Sequence, residues 1–223
     1  MKSRNSRFAL VTAVIAGSLT LTLTLTATTA AAGTPTPIPR AERTITASDG
    51  YYAVANGAVF TPSQASAGKS DLNGGAPGGQ VTPLLLDPVD SLECNVRNNA
   101  NHMVTSYSAA ARGGFVGGTI RLFCGTSAGS GYKHIRDRHA TDWSNKLTKH
   151  GLAGAWDDLM DFATRQALAA PDYATDQGSG KSCFTTPVQL YRSNGTLLET
   201  FKPRVVISRN NTLVITSIPG GGC

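Results

Sequence analysis

The chain has 223 residues, 40% hydrophobic and 15% charged, with 20 Lys and Arg against 14 Asp and Glu, a formal charge of +6. Beyond the first 32 residues no run is apolar for long enough to cross a bilayer as a helix, which excludes a multi-helix membrane protein. None of the four cysteines stands in a CxxC, which argues against a zinc ribbon or a thioredoxin-type redox motif.

Lys2, Arg4 and Arg7 make a basic start, Phe8 to Leu25 an apolar run diluted by Thr and Ser, and Ala30-Ala31-Ala32 a small-residue cleavage site. Residues 1–32 therefore read as a secretory signal peptide, and the mature protein as secreted, with no membrane association after cleavage. Against a membrane anchor stand the Thr content, the bare sufficiency of the length and the cleavage site that follows. Cleavage leaves 17 basic and 14 acidic residues, a charge of +3. That mildly basic balance suits a polyanionic partner without requiring one. Cys94, Cys124, Cys183 and Cys223 all fall in the mature chain, where an oxidising compartment implies two disulfides in any of three pairings. Cys223, after Gly220-Gly221-Gly222, reads as a tether for the final strand.

Residues 33–80 read as a flexible leader, a linker, a pro-segment or a loosely attached lobe: 33–48 are rich in Pro, Thr and Ala, and 61–80 in Gly and Pro. Within this region DGYYAVANGAVF (49–60) has the pattern of short strands around an Asn56-Gly57 turn. A domain follows over 81–223. Leu84 to Leu86 is a dense apolar spot between Pro83 and Pro88, Met103–Ala111 suits a short helix, and TIRLFC (119–124) alternates like a strand.

Lys133 to Lys149 reads as a helix with Ile135, Trp143 and Leu147 on one side, stopped by Gly151. Leu152 to Ala169 carries the strongest helical stripe: Trp156, Leu159, Met160, Ala163 and Ala167, with Pro171 just beyond. A Gly/Ser loop is expected over 178–182. Four strand-like runs then follow, Val188–Arg192, Thr196–Phe201, Arg204–Ser208 and Thr212–Ile218, with turns at Ser193-Asn194-Gly195 and Arg209-Asn210-Asn211. The expected fold is α+β: two helices packed on one face of a four-stranded antiparallel meander, braced by disulfides.

The densest chemistry is Gly131 to Trp143, GYKHIRDRHATDW, with two of the chain's 4 histidines beside Lys133, Arg136 and Arg138. Imidazoles move protons near neutral pH, and guanidinium groups hold anions bidentately. His134 and Arg138 are four apart and share a helix face. His134 and His139 are five apart, about 140° around the helix, which does not suit a metal. No metal or other cofactor is expected. A solvated basic face, with Asp137 and Asp142 compensating the cations, is the plain alternative.

A glycine, an aromatic or basic residue and HIxxRH entering a helix (Gly131, Lys133, His134, Ile135, Arg138, His139), then a second helix and four strands, resembles the barnase–EndoU–colicin–RelE superfamily of metal-independent ribonucleases. Val214 to Pro219, VITSIP, is similar to the closing VxTxxP strand of its toxin members. The resemblance spans roughly residues 119–219. It implies RNA cleavage by attack of a ribose 2′-OH on its own phosphate. It further implies His134 as general base or acid, His139 as the second candidate or a brace beside Trp143, and Arg138 on the scissile phosphate. Thr216 is expected to contact the phosphate or orient a histidine. Lys133 and Arg136 are expected to add charge for substrate, as are Lys202 and Arg204 on the sheet. RNA is the implied substrate and an immunity or inhibitor protein an implied partner. The sequence offers no strand glutamate in a clear basic role; Glu199 sits on the second strand run. The competing reading is a secreted binding or inhibitor domain of the same fold without catalysis.

Overall fold

A computed structural model describes residues 50–62 and 85–223. The expected signal peptide (1–32) and most of the 33–80 region lie outside the described residues. Residues 50–62 do not behave as a leader. β1 (Tyr51–Ala55) and β2 (Ala58–Phe60) form a hairpin whose Tyr51, Ala53, Ala55 and Phe60 are buried. Asn56 and Gly57 both take positive φ, 50° and 78°, as a two-residue turn matching strand twist demands. The folded domain therefore begins some thirty residues before the expected boundary at 81.

α1 (Pro88–Ser91) is a single turn capped by Asp87 and continues into a π-helical turn, Leu92–Val96. Residues expected as a helix over 103–111 instead form β3 (Met103–Ala109). The alternation of β3 turns Tyr107 and Ala109 inward, and it pairs antiparallel with β4 (Gly118–Phe123). Helix propensity in the Ala-rich end loses to this cross-strand burial. The two expected helices are present as α2 (Tyr132–Thr148) and α3 (Trp156–Ala169). The expected loop at 178–182 is a hairpin turn between β5 (Tyr173–Gly178) and β6 (Lys181–Thr185), with Ser179 and Gly180 at positive φ.

β7 (Val188–Arg192), β8 (Leu197–Phe201), β9 (Arg204–Ser208) and β10 (Leu213–Ile218) fall where expected, but they do not make one meander. The chain changes sheet at Lys202-Pro203. One four-stranded sheet runs β2-β1-β7-β8, and a six-stranded sheet runs β3-β4-β10-β9-β6-β5. Every pairing is antiparallel except β4 with β10. α3 touches strands of both sheets, which explains why Leu159, Met160, Phe162, Ala163, Ala167 and Leu168 are all buried. α2 also joins the sheets: the Trp143 indole packs edge-on against Phe201 of β8 and donates to the Ser217 carbonyl of β10 at 3.0 Å. The architecture is thus a mixed α/β fold of three helices and two sheets. No described helix is long and apolar enough to cross a membrane.

The disulfides join Cys94 to Cys124 and Cys183 to Cys223. The first fixes the π-helical turn beside the end of β4. The second holds the chain beyond β10 against β6, as the tether reading expected.

Candidate functional site

The site is built around the start of α2. Gly131 has φ 88°, and a Cβ there would lie 2.5 Å from the Phe123 carbonyl, so only glycine fits. Its N–H donates to the Ile215 carbonyl at 3.2 Å, and Lys133 N–H donates to the Cys124 carbonyl at 2.9 Å. β4 and β10 are in register only at Arg121 and Leu213, and beyond that point the start of α2 is bonded to Cys124, just past β4, and to Ile215 within β10.

This seating sets the histidines. His134 Nδ1 lies 3.1 Å from the Ser127 carbonyl. A carbonyl only accepts, so Nδ1 donates, and in the neutral ring the lone pair then falls on Nε2. His139 Nδ1 lies 3.2 Å from Asp142 Oδ2, which orients the second ring in the same way. The ring centroids are 5.9 Å apart with planes at 67°. The helical angle between positions 134 and 139 suggests divergence; the side chains nevertheless bring the rings edge to face. Both are partly exposed, and Arg138, between them in sequence, is exposed with no hydrogen bond or ion pair to a described residue.

Thr216 sits on β10 after a bulge between Val214 and Thr216. Both its neighbours are fastened to α2, Ile215 through Gly131 N–H and Ser217 through the Trp143 indole. Ser217 points to α3, where its hydroxyl meets Thr164 Oγ1 at 2.8 Å. Thr216 therefore faces the other side of the sheet, in a row with Val206 and Cys183. Its Oγ1 is shielded and bonds to no described residue, so no hydrogen bond joins it to an imidazole.

The expected substrate cations divide. Lys133 donates to Asn98 Oδ1 at 2.7 Å, and Arg136 bonds Asp137 and Asn95. These bonds brace the segment held by Cys94, and Arg136 keeps the Asp137 carboxyl below the usual carboxylate range. Lys202 pairs with Asp172 at 2.7 Å and makes no bond to the histidines or Arg138. Arg204 stands opposite Ile218 in register and makes no hydrogen bond or ion pair with a described residue. Among the described residues no three His, Cys, Asp or Glu side chains gather as a metal site.

Two clusters escaped the sequence reading. Glu199 of β8 accepts from Lys149 at 2.5 Å and lies 3.5 Å from Lys146 and 3.8 Å from His150 Nε2. Glu199 is therefore not simple surface: its side chain is only 16% exposed. At the start of α3, Asp157, Asp158 and Asp161 face three tyrosines. Tyr132 donates to Asp157 at 3.3 Å and Tyr107 to Asp161 at 2.9 Å, while Asp158 accepts the Leu85 N–H at 2.9 Å beside Tyr51. Burial pushes the Asp158 carboxyl up to about 6, helped by the charges of Asp157 and Asp161 and opposed by the Leu85 bond. Burial likewise raises Asp157 and lifts all three tyrosines well above their ordinary value. Arg165 closes on Asp161 and over the Tyr107 ring. The signal available in sequence was the acidic first turn of a helix; its partners come from positions 51, 85, 107 and 132.

No protein-family model, no curated protein and no solved structure matches the chain.

Proposed function

We propose that the chain is a secreted, metal-independent endoribonuclease of the toxin type suggested by its HIRDRH segment. The observation that carries the reading is the pair of imidazoles, 5.9 Å apart and each oriented through Nδ1, with the uncommitted Arg138 between them in sequence. Such a pair serves the two proton transfers of transphosphorylation. His134 Nε2 takes the proton of a ribose 2′-OH, the 2′-O–P bond forms, and the P–O5′ bond breaks. His139, backed by Asp142, delivers a proton to the departing 5′ oxygen. The guanidinium of Arg138 holds the non-bridging oxygens as charge develops on them. The products are a 2′,3′-cyclic phosphate and a 5′-hydroxyl. The two disulfides support an oxidising compartment for the folded chain.

The test is incubation of the purified, oxidised protein with RNA in EDTA, followed by identification of the 3′ ends. Cleavage to cyclic phosphate is expected, with roughly 10²–10⁴-fold loss in His134→Ala and in Arg138→Ala. Undiminished cleavage by both folded variants would remove the site assignment. A second reading, a non-catalytic binding domain that meets a protein partner such as an inhibitor, is favoured by one observation. Thr216 Oγ1 is shielded and bonds to neither histidine. Absence of RNA cleavage by the oxidised wild type would select it.

A further inference from the structure

We infer that the groove between the second half of α2 and the chain leaving β10 holds one nucleotide of the RNA, flanking the scissile phosphate; this deepens the ribonuclease reading and rests on it. The groove has a volume of about 320 Å³ and is lined by Asp142, Asn145, Lys146, Lys149 and Ile218 to Gly220. That volume lies at the small end of the range for small-molecule sites.

The groove adjoins the second imidazole, because Asp142 both lines it and holds His139 Nδ1. A strand whose phosphate lies between His134 and His139 has its next nucleotide led along α2 into this space. The lining matches the three parts of a nucleotide. Ile218 and Pro219 give an apolar ledge for a base or ribose. The Asn145 carboxamide, exposed and without a hydrogen bond to a described residue, offers an acceptor and two donors to a base edge. Lys146 and Lys149 are held in place by Glu199, and each ammonium keeps further donors for a phosphate. Arg204 is outside the lining itself but opposite Ile218 on β9, one strand away; its guanidinium has no carboxylate partner among the described residues and, in this proposal, reaches the nucleotide. A purely acidic ligand leaves the ledge and the carboxamide unused, and a purely apolar one leaves the cations unused.

The experiment titrates the oxidised wild-type protein with the four nucleoside 3′-monophosphates, which contain no bond this reaction breaks, and with inorganic phosphate, following backbone amide resonances. At least one nucleotide is expected to bind about tenfold or more tighter than phosphate, with perturbations centred on 142–149 and 218–220. Asn145→Ala and Arg204→Gln, both at partly or fully exposed positions, are each expected to weaken that nucleotide about five- to tenfold. Nucleotides bound no better than phosphate, perturbations centred elsewhere, or unchanged affinity in both variants overturn the groove assignment. RNA cleavage separates the two claims. A wild type that cleaves RNA but fails this titration keeps its activity and loses the groove. One that binds nucleotide here without cleaving keeps the groove as a binding site and loses the catalysis.

Discussion

Asp158→Asn isolates the cost of the buried acid cluster at the start of α3. Asparagine keeps the oxygen that accepts the Leu85 N–H, so the perturbation removes a charge and little else. In the folded chain burial raises the Asp158 carboxyl from its ordinary 3.8 to about 6. At about 1.4 kcal/mol per pH unit, that displacement amounts to about 3 kcal/mol. The sign follows from proton binding. A carboxyl whose folded value is raised favours folding fully below the unfolded value near 4, and that contribution is lost as pH rises through about 6. Wild-type stability therefore falls from pH 4 to pH 7 on account of this group, whereas the variant lacks that fall. Urea unfolding with disulfides intact, at pH 4, 5, 6 and 7, measures both. The variant should match the wild type near pH 4 and exceed it by up to about 3 kcal/mol at pH 7. Parallel curves across that range refute the argument, because every other titrating group, Asp157 included, is common to both proteins.

Trp143→Phe keeps most of the ring but orphans the buried Ser217 carbonyl, and should lower unfolding free energy by about 1–3 kcal/mol in the same assay. Gly131→Ala forces a Cβ against the Phe123 carbonyl at a positive φ; a destabilisation of about 1–3 kcal/mol is expected, with RNA cleavage falling further than stability because the first turn of α2 shifts. Replacing Cys183 and Cys223 by serine opens a closure spanning 40 positions, worth about 4 kcal/mol of chain entropy, and should also loosen the wall that Pro219 and Gly220 give the groove. Chemical denaturation and nucleotide titration of that double variant check both effects.

Most individual elements were legible, since local pattern creates them. The helical stripe of α3, the alternation of β4 and the Asn56-Gly57 turn each carry their signal within a few residues. The sheets were not legible in the same way. Turn residues specify that β7 pairs with β8 and β9 with β10, but nothing local states that Lys202-Pro203 carries the chain from one sheet to the other. β6 is buried at Ser182, Cys183, Phe184 and Thr185 in succession, so it lacks the alternation that marks a half-exposed strand. β3 was hidden by the helix-forming Ala residues at its end. Of the site, the concentration of His and Arg was visible, while the meeting of His134 with His139 depends on the Ser127 carbonyl and on Asp142. The engagement of Lys133 and Arg136 depends on Asn98 and Asn95, which lie just after and within the turn that the Cys94–Cys124 disulfide fixes beside the end of β4. Glu199 and the Asp157–Asp161 group gain their meaning from residues far away in sequence.

The pairing of Tyr51 with Arg192 has a consequence for how the molecule is made. A ribosome delivers β1 early and β7 late, so the smaller sheet has no central pair until nearly the whole chain has emerged. The larger sheet waits as well, because β4 needs β10. Contacts so distant are slow to close and leave little that is stable in a partial chain. A nascent polypeptide of this kind therefore gains its architecture late, once its last strands are at hand.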